Sequence, residues 1–218
     1  MHFQFLIEDQ SSAVLIEILM QNLISQNPAV TYNCKYFKGI GGFTKKNTVK
    51  ETKSGKLLND LATYLRGFSK SLQHSQSAIM IVLDNDDHDP DAFLEELQAV
   101  ADKNAISADH SFCLAIEEVE AWLLGDQNAL LLAYPGAKQA VLQAYKQDSI
   151  CGTWELLADA IYPGSLKKFK TDCPTYVDVG NWKSECAREI GRYMKPENNI
   201  SPSFKHFMAE IYKRIPAA

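Results

Sequence analysis

Residues 78–83, AIMIVL, are apolar without interruption and run straight into Asp84, Asp86, Asp87 and Asp89. The run has strand length and is rich in β-branched residues. A strand with one wet face alternates polar and apolar residues. A uniform run fits a central parallel strand covered on both faces. The end of such a strand is a costly place for so many carboxylates unless a counter-charge meets them. That counter-charge is a metal ion, a basic side chain or water, and much of the chain's function turns on which.

Three further strand-length runs frame this one: HFQFLI (2–7), AVTYNCKYF (29–37) and FCLAI (112–116). Amphipathic helical patterns separate them. Val14, Leu15, Ile18, Leu19 and Leu23 form one stripe, with Ser11 or Ser12 as the expected N-cap. Leu57, Leu58, Leu61, Leu65 and Phe68 form a second stripe. Phe93, Leu94, Leu97 and Val100 form a third, opened by Pro90 in a first-turn position. The order βαβαβαβα predicts an α/β fold, a four-stranded parallel sheet with helices on both faces. From about residue 117 the patterns are helical only. The expected organisation is an α/β core over 1–135 and a helical C-terminal extension over 136–218, packed on the core.

Acidic residues (27) outnumber Lys plus Arg (22), for a net charge of −5. This excludes a broadly basic nucleic-acid coat, so contact with a polyanion needs a local basic patch or a bridging cation. The five cysteines are odd in number and contain no CxxC pair, which points to reduced thiols in a cytoplasmic protein. No stretch approaches a membrane span in length.

In open α/β sheets, ligands bind beyond the carboxyl ends of the strands, where the strand order reverses. Glu8 falls at the end of the first strand, Asp84 and Asp86 at the end of the third, and Glu117 at the end of the fourth. In extended chain, Asp84 and Asp86 point the same way. Adjacent carboxylates of this kind need a cation or a raised pKa, and hard oxygen donors suit Mg²⁺ or Mn²⁺. The competing use of such aspartates is turn formation and capping, which suits Asp87 or Asp89 ahead of Pro90. A calcium loop over 84–95 fails because Asp89 stands where glycine is required. A phosphoacceptor receiver domain fails on the spacing of its acids and on its missing Thr/Ser and Lys positions. In EEVEAW, helical spacing puts Glu117 and Glu120 on one face and pairs Glu118 with Trp122, itself a core candidate. No Walker loop, dinucleotide fingerprint or Ser/His/Asp set occurs.

The stretches FLIEDQSSAVLIEIL, GKLLNDLATYLRGFSKS, IMIVLDNDD, LAIEEVEAWLLGDQNALLLAYPGAK and NNISPSFKHFMAEI together resemble a bacterial Toprim-like family of unknown function. That family is related to the Toprim domains of overcoming-lysogenization-defect nucleases. Its members are often encoded beside an ABC-type ATPase in mobile or defence-related neighbourhoods. The resemblance implies a Toprim-like fold with Glu8, Asp84 and Asp86 as ligands of Mg²⁺ or Mn²⁺, and metal-assisted phosphoryl transfer. Glu117 joins the catalytic set, and Glu117 and Glu120 are expected at a second metal or in a supporting shell. Where Toprim sequences usually carry glycine after the first acid, this chain has Asp9, and Ser12 stands where a further Glu is common.

The segment GGFTKKNTVKETKSGK (41–56) follows the second strand and offers Lys45, Lys46 and Lys50 as phosphate contacts on the same rim. Lys183 reaches the acids only if the C-terminal helices fold back over them. The expected function is a divalent-metal-dependent nuclease or related phosphotransferase acting on nucleic acid, working with an ATPase partner. The rival is a degenerate Toprim-like module that binds a partner or nucleic acid without cutting.

Overall fold

The computed structural model describes residues 1–39 and 56–215. Lys45, Lys46 and Lys50 lie outside the described residues. The four strands are β1 (His2–Ile7), β2 (Thr31–Tyr36), β3 (Ser77–Asp84) and β4 (His110–Ala115). Between them run α1 (Gln10–Gln26), α2 (Leu57–Leu72) and α3 (Pro90–Lys103). After β4 come α4 (Glu120–Leu124), α5 (Gln127–Ala133), α6 (Gln139–Ala144) and α7 (Thr153–Ile161). The chain ends with α8 (Ser165–Asp172), α9 (Tyr176–Gly191) and α10 (Pro202–Tyr212).

All strand pairs are parallel, in the order β2-β1-β3-β4. Successive side chains of a strand alternate between faces, and along the central strands β1 and β3 both faces are dry, whereas the edge strand β2 is partly open to solvent. Phe3, Phe5, Ile7, Met80, Val82 and Cys113 share a cluster with α1, α4, α9 and α10. Leu6, Ile79, Ile81, Leu83, Phe112 and Leu114 share another with α2 and α3. This is why β3 reads as an unbroken apolar run. The helices after β4 contribute Trp122, Leu157, Ile190 and Phe207 to the same cluster as the first sheet face.

Helix entry is set by local chemistry. The cap of α1 is Asp9, whose carboxylate accepts from the Ser12 N–H at 2.8 Å and from the Ser11 hydroxyl at 2.9 Å. This corrects the expected Ser11 or Ser12 cap: both serines are already inside the helix, and a carboxylate at the positive end of the helix dipole is favoured. Asp89 caps α3 by accepting from the Ala92 N–H, with Pro90 following it.

The last third of the chain is locked to the middle by interior contacts centred on Asn199 and Trp122. Asn199 donates from Nδ2 to the Trp122 carbonyl (2.8 Å) and accepts at Oδ1 from the Ser201 N–H (2.9 Å). Trp122 is fully buried, stacks on Phe207 and donates its indole N–H to Ser203 Oγ. Gly125 faces this amide, and a Cβ there would lie 2.2 Å from Asn199 Oδ1. The two stretches EAWLLG and NNISPS are therefore one packing unit. At the far end of the sheet, Arg214 bridges Asp109 and Glu210 and ties α10 to the start of β4.

Replacement of Asn199 by Ala strands a buried carbonyl and N–H and should cost about 1–3 kcal/mol in denaturant unfolding. Gly125→Ala should cost about 1–3 kcal/mol through overpacking. Because the clash is with the Asn199 side chain, the double variant should lose less than the sum of the two. Strict additivity would show that they do not meet in solution.

Candidate active site at the carboxyl edge of the sheet

The strand order places β2 and β3 on opposite sides of β1, so the order reverses between β1 and β3. Ile7 is in register with Val82, which brings Glu8 and Asp84 to that reversal point. The Glu8 N–H donates to the Val82 carbonyl at 3.1 Å, and Glu8 Oε2 accepts from the Asp84 N–H at 3.0 Å. Asp84 Oδ1 in turn accepts from the Val119 N–H at 3.1 Å. Both carboxyl groups are buried. Burial, with repulsion from neighbouring acids, pushes Glu8 up to about 8 and holds Asp84 well above the usual carboxylate range. These bonds leave Glu8 Oε1 and Asp84 Oδ2 without a hydrogen bond among the described residues.

Asp86 departs from the expected geometry. The strand ends at Asp84, and Asp86 has φ +48°, so strand alternation does not carry through. Asp84 is buried whereas Asp86 is exposed on the rim. Asn85, between them, is the residue that sequence reasoning missed. It is fully buried, donates from Nδ2 to the His88 carbonyl (2.6 Å) and accepts at Oδ1 from the Glu117 N–H (2.5 Å). It joins the loops after β3 and β4 into one rim. An Asn directly after a strand is the only local signal of this, and it also marks an ordinary turn. His88 stacks on Phe93 and places Nδ1 2.9 Å from the Asn85 carbonyl.

Glu117, expected in the catalytic set, is held by donors from the start of α7. It sits at φ +60°, before α4 begins, so it does not share a helical face with Glu120. Its carboxylate accepts from the N–H groups of Cys151 (3.1 Å), Gly152 (2.7 Å) and Thr153 (2.9 Å), and from the Thr153 hydroxyl. Burial acts to raise its pKa, and these donors outweigh it and lower the value. The side chain is an anchor for the N-terminus of α7, where orphan N–H groups and the helix dipole favour an anion.

Glu120, expected at a metal, instead faces a lysine. Because α9 packs along α1, Lys183 is carried into the acidic cluster. Its Nζ lies 3.0 Å from Glu120 Oε2 and 3.6 Å from Glu118 Oε1. Glu120 is 1 % exposed and Lys183 9 %. Burial works against the ammonium, but Glu120, Glu118, Asp84 and Asp9 outweigh it and hold its pKa well above the ordinary value. Burial and the neighbouring Glu120 push Glu118 up to about 8, and Glu118 Oε2 is buried with no hydrogen-bond partner among the described residues. The counter-charge closest to this cluster is therefore a basic side chain.

The donor set for a cation has the right chemistry but an open arrangement. Hard carboxylate oxygens outnumber the lysine at this edge, and burial first, then repulsion among the acids, raises the pKa values of Glu8 and Asp84. Among the described residues, no three His, Cys, Asp or Glu side chains converge tightly enough to hold a metal ion. The five cysteines are free thiols, and no helix among the described residues is long and apolar enough to cross a membrane.

Two outcomes follow from these charges. Glu8 and Glu118 bind protons more tightly folded than unfolded, so the stability they contribute is lost as pH rises from about 4.5 to about 8. Lys183 contributes fully throughout that window, since its own pKa lies above it. Thermal melts should therefore show a falling Tm across this range; a flat profile would contradict the shifts. Lys183→Met removes the ammonium that faces Glu120 and Glu118 and should cost about 3–5 kcal/mol at neutral pH, with a smaller loss as pH falls, because the raised pKa values of both acids favour their neutral forms.

No family model, curated protein or solved structure matches this chain.

Proposed function

We propose that this protein is a divalent-metal-dependent nuclease or related phosphotransferase of Toprim-like fold acting on nucleic acid. The observation that carries the reading is the Glu8–Asp84 pair. Two buried acids stand side by side at the reversal point of a parallel sheet, fixed by backbone N–H groups and short of positive charge. Glu8 and Asp84 would supply the first ligands of Mg²⁺ or Mn²⁺, and the rim residue Asp86, which does not converge with them as the chain stands, would have to swing inward to join them. The cation supplies activation of a nucleophile and neutralisation of phosphate charge. The chain's own residues prepare that chemistry. The Asp84 and Val119 N–H groups orient two carboxylates, Lys183 offsets Glu118 and Glu120 behind them, and Asn85 keeps the rim in one piece. An ABC-type ATPase partner, and a role in defence or mobile elements, belong to the same reading and rest on the sequence resemblance.

A second reading is favoured by the buried ion pair. Lys183 already gives the acidic cluster an internal cation, and Asp9, where glycine is usual, is spent on capping α1. On that reading the module binds a partner or nucleic acid without cutting.

Calorimetric titration with Mg²⁺ and Mn²⁺ separates the two. Cation binding to protonated acids must release protons, so the apparent heat should vary with the buffer's ionisation enthalpy. It should vanish in Asp84→Asn/Asp86→Asn. A wild-type protein that binds neither cation, with or without an added oligonucleotide, would favour the non-cutting module.

A further inference from the structure

Beside the acidic edge, between the end of β2 and the first turns of α9, lies a cleft of about 430 Å³. Its walls include Tyr36, Lys38, Val177, Gly180, Asn181 and Gln10. We propose that this cleft receives an unpaired base of a single-stranded nucleic acid whose backbone runs on to the acidic edge. The proposal rests on the phosphoryl-transfer reading for the second half of that statement only.

Four observations support it. First, the cleft is continuous with the acids: Asp9 lines it, and the Gly39 N–H at its rim donates to the Glu8 carbonyl at 3.0 Å. Second, apolar side chains are left bare there. Tyr36 is 52 % and Val177 71 % exposed, and Tyr176 stands almost wholly in solvent at the head of the same helix. An exposed tyrosine at a strand end offers a flat face for stacking, which tolerates any base.

Third, Gly180 lies inside α9, where glycine costs stability relative to alanine. Among the described residues, nothing outside its own helix backbone comes within 4 Å of a Cβ built on it, so packing there does not require the glycine. Its bare backbone instead forms a flat stretch of wall. Fourth, the polar groups at the mouth suit a nucleotide better than a greasy peptide. The Asn181 and Gln10 amides offer donors and acceptors for a base edge, and the Lys38 ammonium suits a phosphate. The volume is that of a small-ligand site.

The test uses fluorescence anisotropy with a labelled single-stranded DNA oligonucleotide and the corresponding duplex, in EDTA so that metal plays no part. Wild-type protein should bind the single strand more tightly than the duplex. Tyr36→Ala should weaken single-strand binding roughly tenfold, the scale of one lost aromatic–base stack. Gly180→Leu should fold at least as stably, as judged by Tm, yet bind as weakly or worse because its side chain fills the cleft. Single-strand binding unchanged in both variants overturns the proposal. So does absence of binding by the wild type. Calorimetric metal titration of the same protein preparations, after removal of EDTA, keeps the readings apart. Metal binding without oligonucleotide binding removes the base cleft and leaves the metal site, whereas cleft-dependent binding without metal binding does the reverse.

Discussion

The structure depends on a charge imbalance buried at one edge of a sheet. Glu8, Asp84 and Glu120 are taken out of water with Glu118 half-buried beside them, and one ammonium, Lys183, meets Glu118 and Glu120. An unpaired carboxylate in such a place loses its hydration without return. The fold therefore has to deliver the lysine, and it does so by laying α9 along α1. Once α9 is there, the helices after β4 are part of the interior: Trp122, Ile190 and Phe207 join the cluster that covers one face of the sheet. The Asn199–Trp122 contact and the Arg214 bridge then fix the return of the chain at both ends of α10.

The acids at this edge divide by what holds them. Glu117 is saturated by donors from the start of α7, with its pKa drawn down, and acts as a structural anion. Glu120 is bound to Lys183. Glu8 and Asp84 each have one oxygen fixed by a backbone N–H, and both are held in the protonated direction. Fixed geometry together with raised pKa values is what makes this pair the candidate site among the described residues. Asn85 makes the arrangement rigid by tying both acidic loops together.

What could be read in the chain was what local pattern determines. The uniform apolarity of AIMIVL gave a strand covered on both faces, and the βα alternation gave a parallel sheet. Asp89 followed by Pro90 gave a helix start, and Trp122 a core position. The errors came where a residue's role is set by a distant partner or by a break in periodicity. Counting by two from Asp84 to Asp86 assumed extended chain past the point where the strand stops. Counting by three from Glu117 to Glu120 assumed a helix that starts only at the second of them. No pattern near Glu117 announces the N–H groups of residues 151–153, and none near Glu120 announces Lys183. Such pairings are consequences of how helices pack.

The most direct measurement is a carboxyl-carbon NMR titration of Glu8 and Asp84 in the wild-type protein, free of divalent cations. The account predicts that Glu8 titrates near 8 and that Asp84 also stays protonated far above the ordinary carboxylate range. Adding Mg²⁺ should strip both protons at neutral pH. Ordinary titration of both acids near 4, unmoved by Mg²⁺, would contradict the claim that this edge is built with more buried negative charge than Lys183 can balance.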